Sequence, residues 1–151
     1  MKIVFVRDFN DERFISAFQS ALNEFSVDVD DFENLIEGFN SDRDIFAYLI
    51  CENEYVLGMI QFQKIELSNQ HLSEELGMIR EFWITPKCRN QGYGKELLKT
   101  AENYFVQNRV KKVVLFSRPE AEGFYQKQGY SKNTNMTAFN GMSVYEKSIK
   151  Q

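Results

Sequence analysis

The chain has 151 residues, 43% of them apolar and 26% charged, which suits one soluble globular domain able to bury a core. A formal net charge of −4 and the lack of any Lys/Arg run argue against nucleic-acid binding, which needs a basic face. Cys51 and Cys88 form neither a disulfide framework nor a paired metal motif, and the opening run Ile3 to Val6 is too short for a signal peptide or a membrane span. The expectation is a cytoplasmic protein with no metal and no membrane partner.

Ile3 to Arg7, rich in β-branched and aromatic residues, predicts a first strand. Phe14, Ile15, Phe18, Leu22 and Phe25 recur at helical spacing and predict a helix over Asp11 to Phe25. An acidic second helix follows from Val29 to Phe39, with Asp30 and Asp31 at its start, where carboxylates suit the positive end of the dipole. Ile45 to Glu52 and Tyr55 to Leu67 read as strands joined at Glu52-Asn53-Glu54. After the polar break Ser68-Asn69-Gln70-His71, Leu76 to Thr85 completes an antiparallel meander.

Pro86 to Gln91 is a polar turn, and a helix runs from Gly92 to Asn108 with Tyr93, Leu97, Leu98, Ala101, Tyr104 and Phe105 as its buried stripe. Val113 to Phe116 is a short strand, a helix starts at Pro119 and ends near Gly129, and Tyr130 to Thr134 and Met142 to Ile149 are the last strands. The order β-α-α-β-β-β-α-β-α-β-β contains no repeat or linker, so one α+β domain over residues 1–151 is expected. The strands on either side of the Gly92 helix should pair in parallel through a right-handed crossover.

Two glycines stand at the start of that helix, where each costs roughly 1 kcal/mol against alanine. The first N–H groups of a helix have no carbonyl partner and, with the dipole, attract phosphate. Lys87, Arg89 and Lys95 surround a helix start that would favour acid unless an anion sits there. The glycines alone leave both readings open, an anion seat and an ordinary tight turn. An ATP-type P-loop is excluded because Glu96 follows Lys95, and a dinucleotide fingerprint because Leu97 stands where a small residue is required.

Arg89-Asn90-Gln91-Gly92-Tyr93-Gly94 resembles the acyl-CoA signature of the GNAT superfamily of N-acetyltransferases, which runs Gln or Arg, two residues, Gly, one residue, then Gly or Ala. Glu81-Phe82-Trp83-Ile84-Thr85-Pro86 resembles the family's fourth strand entering that turn, and Ala121 to Tyr130, with Phe124-Tyr125 and Gly129, resembles its A-x-x-F-Y-x-x-x-G-F ending. The resemblance implies a GNAT-like fold: a mostly antiparallel sheet with one parallel strand pair at the cofactor cleft. It also implies acetyl-CoA as cosubstrate and a primary amine as acceptor.

It further implies roles for residues. The backbone of Phe82, Trp83 and Ile84 would pair with the pantetheine arm like an added strand. Amides from Arg89, Asn90, Gln91, Gly92, Tyr93, Gly94 and Lys95 would hold the pyrophosphate, with Lys87, Arg89 or Lys99 near the 3′-phosphate. Tyr125 would protonate the departing thiolate, a phenol near pKa ~10 being matched to that task. Arg118 stands where many members carry an Asn that bonds the pantetheine, and would reach a phosphate or the acceptor instead. Val113 occupies the position of a catalytic glutamate in some relatives, so the base must lie elsewhere. Glu81 is the first candidate, with an ordinary surface carboxylate as the alternative reading; His71 is the sole histidine and reads as a surface residue.

Cys88 has no neighbouring His to make it a nucleophile, and Cys51 reads as packing. The acidic residues Asp28, Asp30, Asp31, Glu33, Glu37, Glu74 and Glu75 would form a rim attractive to a cationic amine, or simply a solvated face. The acceptor itself is left open. A CoA-binding module without transferase activity is the alternative function, and a homodimer is compatible with the family.

Overall fold

The computed structural model describes residues 1–68, 73–136, 138 and 140–149; His71 and the rest of the predicted break at 69–72 lie outside them. Seven strands form one sheet in the order β1-β2-β3-β4-β5-β7-β6, where β1 is Lys2–Val6, β2 Ile45–Glu52, β3 Tyr55–Ser68, β4 Ser73–Ile84, β5 Lys112–Ser117, β6 Ser131–Lys132 and β7 Ser143–Ser148. Among the described residues four α-helices accompany them: α1 Glu12–Glu24, α2 Phe32–Ser41, α3 Tyr93–Gln107 and α4 Glu122–Lys127. The β-α-α-β-β-β-α-β-α-β-β order is as the sequence predicts. β4 and β5 pair in parallel, Gly77 with Val113 through Ile79 with Leu115. The pairs β1–β2, β5–β7 and β6–β7 are antiparallel.

The chain forms two compact units, Met1–Phe62 with Glu81–Ala101, and Gln63–Arg80 with Glu102–Gln151. In the first, Asp11 caps α1 by accepting from the Arg13 N–H at 2.9 Å, and Phe14, Ala17, Phe18 and Ala21 form its buried stripe. Asp31 caps α2 through the Asn34 N–H at 3.0 Å. That cap explains why α2 starts at Phe32 and not at Val29: its extended backbone, φ −137°, holds the preceding residues out of the helix. Phe9, Phe14, Phe18 and Phe39 interlock edge-to-face, with Phe9 and Phe14 ring centroids 4.8 Å apart. Ala47, Leu49, Met59 and Trp83 complete this core from the strands. Aromatic residues make up 15% of the sequence, and these rings serve packing.

In the second unit, the predicted helix from Pro119 begins as a 3₁₀ turn, Pro119–Ala121, before α4 proper. Proline at its first position fixes φ and needs no N–H partner there. The last strand pair is shorter than predicted, with β6 only two residues long. At its centre Glu102 of α3, 9% exposed, accepts from the Tyr130 hydroxyl at 2.7 Å and from Lys147 Nζ at 3.2 Å.

Candidate functional site

In the first unit the last residues of β4 lead directly into the glycine turn. Glu81 and Phe82 are half-buried, Trp83 is buried, and Ile84 is half-buried. The end of β4 lies hard against β3: a Cβ on Gly58 would come within 2.7 Å of the Trp83 carbonyl oxygen and 2.4 Å of Ile84 Cδ1. Only glycine permits that approach. The Thr85 N–H donates to the Leu57 carbonyl at 2.8 Å, which marks where the strand is released.

A 3₁₀ turn, Pro86–Cys88, follows, closed by the Cys88 N–H on the Thr85 carbonyl at 2.9 Å. Asn90 then takes φ 62° and Gly92 φ 89°. Asparagine is among the few side chains that tolerate the left-handed region, and glycine adopts it without cost. The Glu96 N–H donates to the Gly92 carbonyl at 3.1 Å, so Tyr93, Gly94 and Lys95 form a first helical turn with no intrahelical acceptors for their amides. A Cβ built on Gly92 would meet nothing within 4 Å. Glycine is therefore not required here by packing against the protein. The backbone faces open space at the positive end of α3, with Lys87, Lys95 and Lys99 exposed around it.

Arg89 is placed differently from what its charge alone suggests. Its backbone N–H is on the Pro86 carbonyl at 3.4 Å. Its Nε donates to the Ile84 carbonyl at 2.9 Å, and its Nη2 meets Glu24 Oε1 and Oε2 at 2.6 and 2.8 Å. The Trp83 indole N–H donates to the same carboxylate at 2.8 Å. Glu24, the last residue of α1, has no counterpart in the sequence reading. Its signal was an acid at a helix C-terminus whose last turn has no basic residue, where the dipole disfavours a carboxylate.

The second unit holds the other candidates. Tyr125 lies in α4, 8% exposed, its ring 5.9 Å from that of Tyr130 and edge-on to it. Arg118 precedes the 3₁₀ turn, and its carbonyl accepts from the Ala121 N–H at 3.0 Å and from Ser117 Oγ at 2.9 Å. Its side chain is half-buried.

Residues 7–130 match the sequence profile of the Acetyltransferase (GNAT) family. The chain belongs to this family. No curated protein sequence matches it. Among solved structures, a predicted acetyltransferase from Clostridium acetobutylicum, solved with acetyl-CoA, superimposes with a TM-score of 0.79 at 14% identity, covering 92% of this chain and 95% of that one. An aminoglycoside acetyltransferase from an uncultured soil metagenomic sample, in complex with sisomicin, gives 0.74 at 16% identity, covering 92% and 93%. The PaiA N-acetyltransferase of Thermoplasma acidophilum, in complex with coenzyme A, gives 0.65 at 16%, covering 99% and 100%. At these identities the likeness is one of fold, and the fold is that of a GNAT acetyltransferase.

Within this acetyltransferase, Cys51 is buried and its thiol is pushed up by burial, as a packing residue should be. Cys88 is half-buried in the 3₁₀ turn. Among the described residues, no group of three or more His, Cys, Asp or Glu side chains is arranged to hold a metal ion, and no helix is long and apolar enough to cross a membrane.

Proposed function

We propose that this chain is an acetyl-CoA-dependent N-acetyltransferase that passes the acetyl group directly to a primary amine. The observation that carries the reading is the glycine turn itself: unpaired first-turn amides, a positive-φ glycine facing open space, and exposed lysines at the positive end of α3. Such a turn suits a pyrophosphate. The structural neighbours solved with acetyl-CoA and coenzyme A support the same choice of ligand.

In this reading the amides from Asn90 to Lys95 hold the pyrophosphate, and the backbone of Phe82, Trp83 and Ile84 receives the pantetheine arm as an added strand. The acceptor must arrive deprotonated. A primary ammonium near pKa ~10.4 lies over three units above neutrality, roughly 4–5 kcal/mol at ~1.36 kcal/mol per unit. Glu81, half-buried on β4, takes that proton. The amine nitrogen then bonds the thioester carbon, the C–S bond breaks, Tyr125 gives its hydroxyl proton to the departing thiolate, and the proton shed by the new amide nitrogen returns the phenolate to the phenol. Arg118 contributes a cation towards the cofactor phosphates or the acceptor.

The test is release of free thiol from acetyl-CoA against a panel of primary amines, including polyamines and aminoglycosides. The expected result is thiol release that depends on the amine and equals the acetylated product formed. Tight CoA binding with no turnover across the panel would favour a CoA-binding module without transferase activity; no CoA binding at all would sink the reading.

A further inference from the structure

We infer that Glu24 is a positioning residue for the cofactor turn: its carboxylate fixes Trp83 and Arg89 together, so that the turn is preset before any ligand arrives. The inference rests on the proposed CoA reading of that turn. Two donor nitrogens make three contacts with this one side chain: the Trp83 indole N–H at 2.8 Å, and Arg89 Nη2 on both oxygens at 2.6 and 2.8 Å. The second arm of Arg89, Nε on the Ile84 carbonyl at 2.9 Å, closes the chain from the end of β4 across the 3₁₀ turn. Strand end, turn and the C-terminus of α1 are thereby fastened at a single point.

Charge-assisted hydrogen bonds are shorter and stronger than neutral ones, and a partly buried group with several donors gains geometric precision as well as energy. Glu24 is 31% and Arg89 40% exposed at the side chain, so the ion pair alone contributes little to global stability. Its effect belongs to local order. Arg89 is the residue before the left-handed Asn90, and a turn with positive φ at both 90 and 92 loses much backbone freedom on ordering. A clamp that meets this cost in the free protein leaves more of the ligand's contact energy as affinity. With Nε and Nη2 of Arg89 both engaged, the first-turn amides and the lysines serve as the anion's partners in this reading.

The competing role for the pair is a latch, with Arg89 leaving Glu24 to grip a phosphate. The two roles differ in sign. If Glu24 positions the turn, Glu24→Gln weakens CoA binding; if it sequesters Arg89, the same substitution tightens it. CoA affinity is measured by calorimetry on the full chain for wild type, Glu24→Gln, Arg89→Ala and the double variant. Glu24→Gln is expected to raise the Kd for CoA about tenfold, equivalent to about 1.4 kcal/mol. The double variant should be no weaker than Arg89→Ala, since both act through one contact. With any amine found to be turned over, KM for acetyl-CoA should rise in proportion while kcat stays within about twofold, because the lost interaction is made equally in ground and transition states.

Trp83 is the only tryptophan, so its emission reports the clamp directly. Because the clamp is made before CoA arrives, Glu24→Gln should shift the emission of the free protein, and an unchanged emission would overturn the inference. Unaltered or tighter CoA binding in Glu24→Gln, or additive losses in the double variant, would overturn the inference. Should Glu24→Gln fail to fold, Arg89→Ala carries the test, and wild-type affinity in it would overturn the inference equally. Failure of wild type to bind CoA is a separate result that removes the proposed function beneath it.

Discussion

Tyr125 combines a buried ring with the hydroxyl proposed as the acid, and the two can be separated. Its ring packs edge-on to Phe124 at 5.3 Å and to Tyr130 at 5.9 Å, contacts that phenylalanine would preserve. Tyr125→Phe is therefore expected to lower turnover at least about tenfold, towards the 10²–10⁴ typical of a lost general acid, with CoA affinity within about twofold. Steady-state thiol release and calorimetry on the same preparation check both halves; unchanged turnover would remove Tyr125 as the acid. Tyr125 was legible because a local run, Ala121 to Tyr130, carries its context. Glu24 was not, because its partners lie 59 and 65 residues further along the chain. Arg89 illustrates the same limit. Its charge and its place in the signature are written in the sequence, but the direction of its side chain is set by a helix that ends at Glu24.

At the scale of elements, the 3.6-residue periodicity placed α1, α2 and α3, whose buried residues lie on one face, while punctuation by proline and glycine placed α4. The boundaries moved where a cap or a turn overrode periodicity: Asp31 delays α2, and Pro119 forces a 3₁₀ turn before α4. The junction of α3 with β7 was illegible, because no pattern announces a buried carboxylate. There Glu102 accepts from Tyr130 and Lys147 at once. Tyr130→Phe removes the donor and leaves the carboxylate with the lysine alone, so a loss of about 1–3 kcal/mol is expected in urea unfolding. Burial, and then the charge of Glu102, push the Tyr130 phenol well above its ordinary value of 10.0. A group whose pKa is raised on folding contributes fully below its unfolded value, and that contribution is lost as pH rises through the folded one. Wild-type stability should therefore begin to fall above pH 10, and the Tyr130→Phe variant should fall less steeply over the same range. Parallel slopes for the two proteins would remove Tyr130 as the source.

The whole molecule carries a formal charge of −4, yet its proposed ligand is a polyanion, so binding must depend on a local arrangement of amides and lysines and not on the overall field. The fold is legible at this scale because the family signature, the strand before it and the helix after it occupy fixed intervals, and the same intervals carry the proposed donor site. The acceptor is not, since acidic side chains serve a solvated face as readily as a binding rim. The donor site can be tested on the intact protein without knowing the acceptor. A ligand that binds only the native state stabilises it by mass action, about 2.7 kcal/mol at a hundredfold excess over Kd. At about 2–4 °C per kcal/mol for a chain this size, CoA should raise the melting temperature by about 5–10 °C. Gly92→Ala places a Cβ at φ 89° in open space, so it should cost about 1–2 kcal/mol in the free protein through backbone strain while retaining part of the CoA shift. Gly92→Asp should cost less in the free protein, since aspartate tolerates positive φ better and suits a helix start, but it adds a negative charge where the pyrophosphate would lie and should abolish the shift. Without CoA the Asp variant should melt no lower than the Ala variant, and with CoA only the Ala variant should rise. A full CoA shift in Gly92→Asp would mean that the open face of this turn is not the anion seat.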